Sequence, residues 1–154
     1  MTPYADTNFY TRVYLELPES ADADRLLHDA KQNEAPPLPV TWLHRAEVLN
    51  AFQLHVFQAQ DAGQPYVSSR QAALALGNFR GDIQKAEFLR LAVIPDTELE
   101  SKFEELSLRR TARYGFRTYD LLHVASALLL GCDTFWSFDA KSTQFAKLEG
   151  LKVR

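Results

Sequence analysis

Short apolar runs alternate with longer segments of helical periodicity along the whole of this 154-residue chain. Alternation of short strands with helices predicts a parallel sheet that is covered by helices on both faces. In open sheets of this kind, binding and catalytic sites lie beyond the carboxyl ends of the strands. The residues that follow each predicted strand are therefore the first place to look for chemistry.

The pattern predicts five strands and eight helices without an internal repeat or a linker, and hence one domain over 1–154. The predicted strands are a brief extended segment around Ala5 and the runs 40–42, 91–94, 132–138 and 151–153. The predicted helices run from 6–8 to near Pro18, over 22–31, from after the strand 40–42 to near Gly63, and over 68–76, 82–91, 97–114, 118–130 and 139–148, the last one capped by Asp139.

Composition places the chain among ordinary globular proteins. Hydrophobic residues make up 46% and charged residues 24%, with a formal net charge of −3, which excludes collagen-like, disordered and coiled-coil classes. No apolar run reaches the roughly 18 residues that a bilayer span needs, and residues 1–10 do not resemble a secretory signal. A single cysteine, Cys132, allows no internal disulfide, so we expect a reducing, cytoplasmic setting. We also expect no membrane association and a buried Cys132 thiol.

Four acidic residues stand where strands end or where helices begin. Two follow predicted strands, one lies near the start of the long helix after 40–42, and one lies in the first turn of the apolar helix 118–130, after its predicted cap Thr118. They are Asp6, Asp139, Glu47 and Asp120, respectively. Each one alone has an ordinary explanation as a helix cap or as a partner of a helix dipole.

Taken together, the four acids favour a metal site. Carboxylates that cluster repel one another, and their burial without a partner is costly. No lysine lies close in sequence to Asp6, Glu47 or Asp120. Mg²⁺ and Mn²⁺ prefer oxygen ligands, and a metal held by carboxylates can activate a water for in-line displacement at a phosphodiester.

Five segments carry these acids and their neighbours in a characteristic order. They are Tyr4-Ala5-Asp6-Thr7-Asn8, Val40-Thr41 followed by Glu47, Tyr119-Asp120-Leu121-Leu122-His123-Val124-Ala125-Ser126-Ala127, Ser137-Phe138-Asp139, and Gly150-Leu151-Lys152-Val153. In this order and approximate spacing, over essentially the whole chain, the sequence resembles the PIN-domain family. The resemblance is strongest to the VapC-type toxins of bacterial toxin–antitoxin pairs.

The resemblance implies a three-layer α/β/α sandwich with a short-stranded parallel sheet, and a Mg²⁺- or Mn²⁺-dependent endoribonuclease. Carried over by position, the catalytic and metal-binding acidic quartet is Asp6, Glu47, Asp120 and Asp139, with Asn8 and Ser137 in support. The family further implies an RNA substrate, either tRNA or ribosomal RNA, a small antitoxin that neutralises the toxin, and a homodimer.

Four arginines lie close together before Asp120, and two interpretations of them stay open. They are Arg109, Arg110, Arg113 and Arg117. They form either a solvated helix face paired with Glu104 and Glu105, or an RNA-binding stripe that delivers phosphates to the acids.

Several other residues have a structural and a functional interpretation. His123 is predicted to be a hydrogen-bonded core histidine rather than a substrate contact. His44 and Glu47 form only a weak metal signal, because an H-x-x-E pair lacks a second histidine. Trp42 and Trp136 lie in predicted strands and are therefore predicted in the core, although an indole can also stack on an RNA base.

Two other functions compete with the nuclease hypothesis. An aspartyl-nucleophile phosphatase needs a second carboxylate two residues after the first, and Asn8 stands there instead. A non-catalytic RNA- or protein-binding module with the same fold is the remaining alternative. It gives no reason for keeping four mutually repelling acids, so the nuclease is the leading hypothesis.

Overall fold

The computed structural model describes all 154 residues, in seven helices and five short strands. No helix in it is both long and apolar enough to cross a membrane. The elements in chain order are β1 (Pro3–Ala5), α1 (Thr7–Tyr14), α2 (Ser20–Gln32), β2 (Leu38–Val40), α3 (Trp42–Gln58), α4 (Ser69–Lys85), β3 (Leu89–Leu91), α5 (Asp96–Tyr114), α6 (Thr118–Leu129), β4 (Thr134–Trp136), α7 (Ala140–Leu148) and β5 (Lys152–Val153).

The first compact unit comprises residues 1–6 and 93–154. Its sheet has the parallel order β1-β4-β5, with Ala5 opposite Trp136 and Phe135 opposite Val153. Helix α6 is buried along most of its length, as its nearly continuous apolar sequence predicts. It shares the core of this unit with α5 and α7, where the fully buried side chains include Leu106, Val124 and Phe145.

The second compact unit comprises residues 7–92. Strands β2 and β3 pair in parallel, with Leu38 opposite Leu89. The helices α1, α3 and α4 pack around an aromatic core in which Tyr10, Phe52 and Phe79 are at most 1% exposed. The Phe79 ring makes a tilted contact with Tyr10 and an edge-to-face contact with Tyr14, arrangements that aromatic pairs favour.

The two strands of the second unit lie about two residues before their predicted positions. The predictions 40–42 and 91–94 are wrong: the strands are Leu38–Val40 and Leu89–Leu91. The pairing is set by backbone hydrogen bonds from Leu38 to Phe88 and from Ala92 to Val40. Trp42 is consequently the first residue of α3 and is 53% exposed, so its predicted place in a core strand is also wrong.

Helix α4 is continuous where two helices, 68–76 and 82–91, were predicted. Gly77 and Gly81 lie inside it, although each glycine costs a helix about 1 kcal/mol relative to alanine. The buried stripe of Ala72, Ala75 and Phe79 continues through this segment, and its packing outweighs that cost. The earlier helices also end sooner than predicted, α1 at Tyr14 and α3 at Gln58.

Candidate active site

The carboxyl ends of β1 and β4 place two of the predicted site residues side by side. Ala5 and Trp136 are paired at the ends of these parallel strands, so Asp6 and Ser137 are the first residues beyond them. The Asp6 backbone N–H donates to the Trp136 carbonyl at 3.1 Å and extends the ladder by one bond. Asp6 is only 4% exposed. A buried carboxyl group therefore lies at the sheet edge where open α/β folds hold their ligands.

Asp120 lies in the first turn of α6 and is 5% exposed. Its Oδ2 accepts from the backbone N–H of Arg117 at 3.2 Å, which satisfies one of the free donors at the start of the helix. Its Oδ1 accepts from the Ser142 hydroxyl at 2.8 Å. Helix α6 begins at Thr118 with Arg117 in the cap position, so the prediction of Thr118 as the cap is one residue late.

Asp139 caps α7, as predicted from the sequence. Its Oδ1 accepts from the backbone N–H of Ser142 at 2.8 Å, and its own N–H donates to the Ser137 hydroxyl at 2.9 Å. Ser142 thus binds Asp139 through its backbone and Asp120 through its side chain. This one residue fixes the spacing of the two acids.

The guanidinium of Arg117 binds the same two acids. Its Nε lies 3.0 Å from Asp120 Oδ2, and its Nη2 lies 3.1 Å from Asp120 Oδ1, a bidentate arrangement. The same Nη2 lies 3.5 Å from Asp139 Oδ2. The Arg117 side chain is 66% exposed, whereas that of Asp120 is 6% exposed. An exposed cation therefore covers a buried carboxylate.

The ionisation of Asp120 follows from these contacts. Burial raises its pKa, but the hydrogen bonds from the Arg117 side chain, the Ser142 hydroxyl and the Arg117 backbone together outweigh burial, and the pKa lies below its ordinary value. The hydrogen bond to Asp120 in turn raises the pKa of Arg117. At neutral pH the pair consists of a carboxylate and a guanidinium.

The donor set suits a hard divalent cation in its chemistry. Asp6, Asp120 and Asp139 offer carboxylate oxygens, the ligands that Mg²⁺ and Mn²⁺ prefer. No group of three or more His, Cys, Asp or Glu side chains, however, is arranged closely enough to hold a metal ion. Two of the three acids, Asp120 and Asp139, instead bind the guanidinium of Arg117. The residues therefore fit a divalent ion, provided that the ion displaces the Arg117 guanidinium from Asp120 and Asp139.

The two remaining predicted residues belong to the second unit. Glu47 is half-buried on α3, and its Oε2 accepts from the Thr7 hydroxyl at 2.9 Å. Asn8 is the second residue of α1, where its carbonyl accepts from the Thr11 hydroxyl at 2.8 Å. The first unit thus contains Asp6 beside Ser137 at the strand ends, and Asp120 joined to Asp139 through Ser142, whereas Glu47 and Asn8 lie in the second unit.

The four arginines do not form a uniform stripe. Arg109 and Arg110 both bind Glu149, whose side chain is 5% exposed, with Arg110 Nε at 2.8 Å from its Oε1. Arg109 also lies 3.3 Å from Glu105, one of the two predicted partners. The Arg113 guanidinium lies over the Tyr114 ring at 5.3 Å. Arg117 is the arginine that contacts the acids.

The two histidines near the acids are structural. His123 is buried, and its Nδ1 lies 2.8 Å from the Tyr4 hydroxyl, which confirms the predicted core histidine. His44 is fully buried at the start of α3, where its Nδ1 accepts from the Thr41 backbone N–H at 3.0 Å. That contact gives His44 a structural role as part of the helix cap. Cys132 is buried, as predicted.

Sequence reasoning missed Ser142 and Lys141. Ser142 stands three residues after the cap Asp139, which is the usual spacing for a residue whose backbone binds the cap, so this signal was available. Lys141 Nζ donates to the carbonyls of Tyr114 and Gly115, at 3.2 and 3.0 Å, and satisfies the C-terminal end of α5. No local signal links residues that lie 26 or 27 positions apart.

Comparison with solved structures identifies the fold. The crystal structure of Mycobacterium tuberculosis VapC20, described as a sarcin–ricin loop cleaving toxin, matches with a TM-score of 0.63 over 99% of both chains, at 16% sequence identity. This chain has a PIN-like fold. The predicted α/β class with short parallel strands is confirmed. No protein-family model matches the sequence, and no curated protein matches it.

Proposed function

We propose that the protein is a metal-dependent endoribonuclease toxin that cleaves RNA phosphodiester bonds, with tRNA or ribosomal RNA as the substrate. Two observations carry the proposal: buried Asp6 directly follows β1, and Ser142 and Arg117 join Asp120 to Asp139. Asp120 stays ionised there although it is 5% exposed. The PIN-like fold shared with VapC20, itself described as cleaving the sarcin–ricin loop, supports the same assignment.

Each residue has a defined part in this proposal. When bound, Mg²⁺ or Mn²⁺ would supply an activated water and stabilise the charge that develops on the phosphate. Asp6, Asp120 and Asp139 would hold the ion, and Glu47 would be a fourth ligand or would orient the attacking water. Ser142 holds Asp120 and Asp139 at a fixed spacing through two hydrogen bonds. Ser137 supports Asp139 through the hydrogen bond to its backbone.

The four arginines make different contacts within the protein, so we assign them different roles in RNA binding. Arg113 and Arg117 are exposed and lie just before α6, so we propose that these two bind substrate phosphates. Arg109 and Arg110 share the buried carboxylate of Glu149, and phosphate binding there would compete with that contact. Their contribution to RNA binding stays a prediction.

An assay on total cellular RNA tests the proposal, with Mg²⁺, Mn²⁺ or EDTA. We expect cleavage by the wild type in either metal and none in EDTA. Asp6→Asn, Asp120→Asn and Glu47→Gln should each abolish cleavage, since each removes one carboxylate of the proposed site without changing the size of the side chain. Asp96→Asn is the matched control, because Asp96 is exposed at the start of α5. Cleavage that survives in Asp6→Asn would refute the assignment.

One observation favours the alternative of a non-catalytic PIN-like module that binds RNA or protein. Arg117 neutralises Asp120 and Asp139 from within the chain, so the acids are stable without a metal. Under this alternative the wild type would bind RNA equally in Mg²⁺ and EDTA and would cleave it in neither. The RNA assay above therefore separates the two candidates.

The proposal extends to an antitoxin partner and to a homodimer. Co-expression with the product of a neighbouring small open reading frame should suppress RNA cleavage if that product is the antitoxin. Light scattering should give twice the 17.5 kDa of one chain if the protein is a homodimer. A monomeric mass at all concentrations would refute the homodimer.

A further inference from the structure

An open hollow lies between α3 and α4 in the second unit, next to the end of β3. It measures about 310 Å³. Its apolar side chains include Phe79, which is 1% exposed, and Leu91, which is 58% exposed. Arg45 of α3 and Arg80 of α4 also line it. We call this feature, with its two arginines, the α3/α4 hollow.

The α3/α4 hollow carries positive charge without a countercharge. Five of the eleven arginines have a carboxylate within 4.0 Å, namely Arg12, Arg25, Arg109, Arg110 and Arg117. Arg45 and Arg80 have none, and no acidic residue lines the hollow. Two cations above an apolar surface match an occupant that has both anionic and apolar parts.

Helix α3 carries an exposed indole, that of Trp42, on the same face as Arg45. Trp42 lies three residues before Arg45 on α3, and residues three apart occupy the same face of a helix. The indole is 53% exposed, although a tryptophan of a small protein is normally well covered. Exposed aromatic rings beside arginines are the usual platform for nucleobases, because the base stacks while the guanidinium binds the phosphate.

We propose that the α3/α4 hollow and Trp42 form a subsite for an unpaired segment of the RNA substrate. Arg45 and Arg80 bind successive phosphates, and one base stacks on Trp42. The segment is unpaired because bases in a duplex are stacked on one another, whereas a loop can present a free base. An acidic peptide would satisfy the arginines but supplies no planar base for the indole. The inference rests on the proposed function, since it takes RNA as the substrate.

Binding measured without cleavage tests the proposal. Fluorescence anisotropy in EDTA would follow a labelled, unstructured RNA oligonucleotide and a second oligonucleotide of equal length that has abasic sugars. The variants are Arg45→Gln with Arg80→Gln, and Trp42→Ala. Their matched controls are Arg25→Gln with Arg70→Gln, and Tyr66→Ala. All six substituted positions are exposed, and circular dichroism checks that each variant folds.

We expect the Arg45/Arg80 double variant to weaken the binding of both oligonucleotides. The slope of log affinity against log salt should fall by about 0.7 for each of the two lost phosphate contacts. Trp42→Ala should weaken binding of the normal oligonucleotide about tenfold and leave the abasic one unchanged. The control variants should bind like the wild type, apart from a small uniform loss from net charge.

Three results would overturn the inference. The first is equal binding by the Arg45/Arg80 double variant and its control. The second is an equal loss for both oligonucleotides in Trp42→Ala. The third is arginine-dependent binding of a glutamate-rich peptide that is tighter than binding of RNA.

Cleavage data keep this inference separate from the proposed function. A wild type that cleaves RNA, with an Arg45/Arg80 variant that binds and cleaves equally well, would refute the subsite alone. A wild type that binds RNA through the hollow but never cleaves it would refute the nuclease alone.

Discussion

Replacing Arg117 with glutamine should lower the stability of the metal-free protein and increase its affinity for Mn²⁺. The guanidinium makes two hydrogen bonds to Asp120, at 3.0 and 3.1 Å, and lies 3.5 Å from Asp139. A divalent ion that takes these carboxylates as ligands must displace it. In Arg117→Gln there is no guanidinium to displace, so the free energy lost by the metal-free protein is regained on binding.

The solvent exposure of the Arg117 side chain sets the expected size of the stability loss and of the affinity gain. Hydrogen bonds to charged groups contribute about 1.5–3 kcal/mol when they are protected, and exposed ion pairs about 0–1 kcal/mol. Since the Arg117 side chain is 66% exposed and Asp120 keeps its bonds to Ser142 and to the backbone, we take about 1 kcal/mol. That corresponds to about fivefold tighter Mn²⁺ binding and a melting temperature lower by about 2–4 °C without metal.

Calorimetric titration and thermal unfolding measure both halves of this prediction. Arg113→Gln is the control, because it removes the same charge from a side chain that lies over Tyr114 instead. In saturating Mn²⁺ the wild type and Arg117→Gln should melt together, since neither then has a guanidinium on the acids. Unchanged Mn²⁺ affinity in Arg117→Gln, or a melting difference that persists in saturating Mn²⁺, would refute the reasoning.

Three further predictions concern stability. Burial and then the charge of Asp82 raise the pKa of Tyr14 above its ordinary 10, so folding favours the neutral phenol and the wild type should lose stability as pH rises above 10. Tyr14→Phe should be about 1 kcal/mol less stable at pH 7 and lose less above pH 10; parallel urea midpoints across this range would contradict it. Glu149→Gln should cost about 1.5 kcal/mol in urea unfolding, because it removes the shared partner of Arg109 and Arg110, and an unchanged midpoint would show that the pairs are not stabilising. Ser126→Ala should leave the melting temperature unchanged or raise it, since the buried hydroxyl has no hydrogen-bond partner, whereas a clear loss would reveal one.

The accuracy of the sequence predictions follows the strength of local signals. Helices α5, α6 and α7 lie within one residue of their predicted bounds, because Gly115 ends one and Asp139 caps another through contacts inside a single turn. Strands β2 and β3 were misplaced by about two residues. A strand of three residues is too short to show a periodicity, so its position depends on the partner strand.

The candidate site also has features that local sequence signals predict and features that they do not. The positions of Asp6, Asp120 and Asp139 at strand ends and helix starts could be predicted, since they depend on neighbouring residues. The Arg117–Asp139 pair and the Ser142–Asp120 hydrogen bond could not, because they join residues about 22 positions apart. The exposure of Trp42 also had no sequence signal, since it follows from where β2 ends.

The sequence by itself determined the α/β class, the order of the elements, the apolar character of α6 and the location of the acids. These properties depend on periodicity and on capping contacts within a few residues. Only the tertiary structure decided that Arg117 covers Asp120 and Asp139, that Glu149 holds Arg109 and Arg110, and that Arg45 and Arg80 line one hollow. Long flexible side chains select partners by distance in space, and a linear sequence carries no record of that distance.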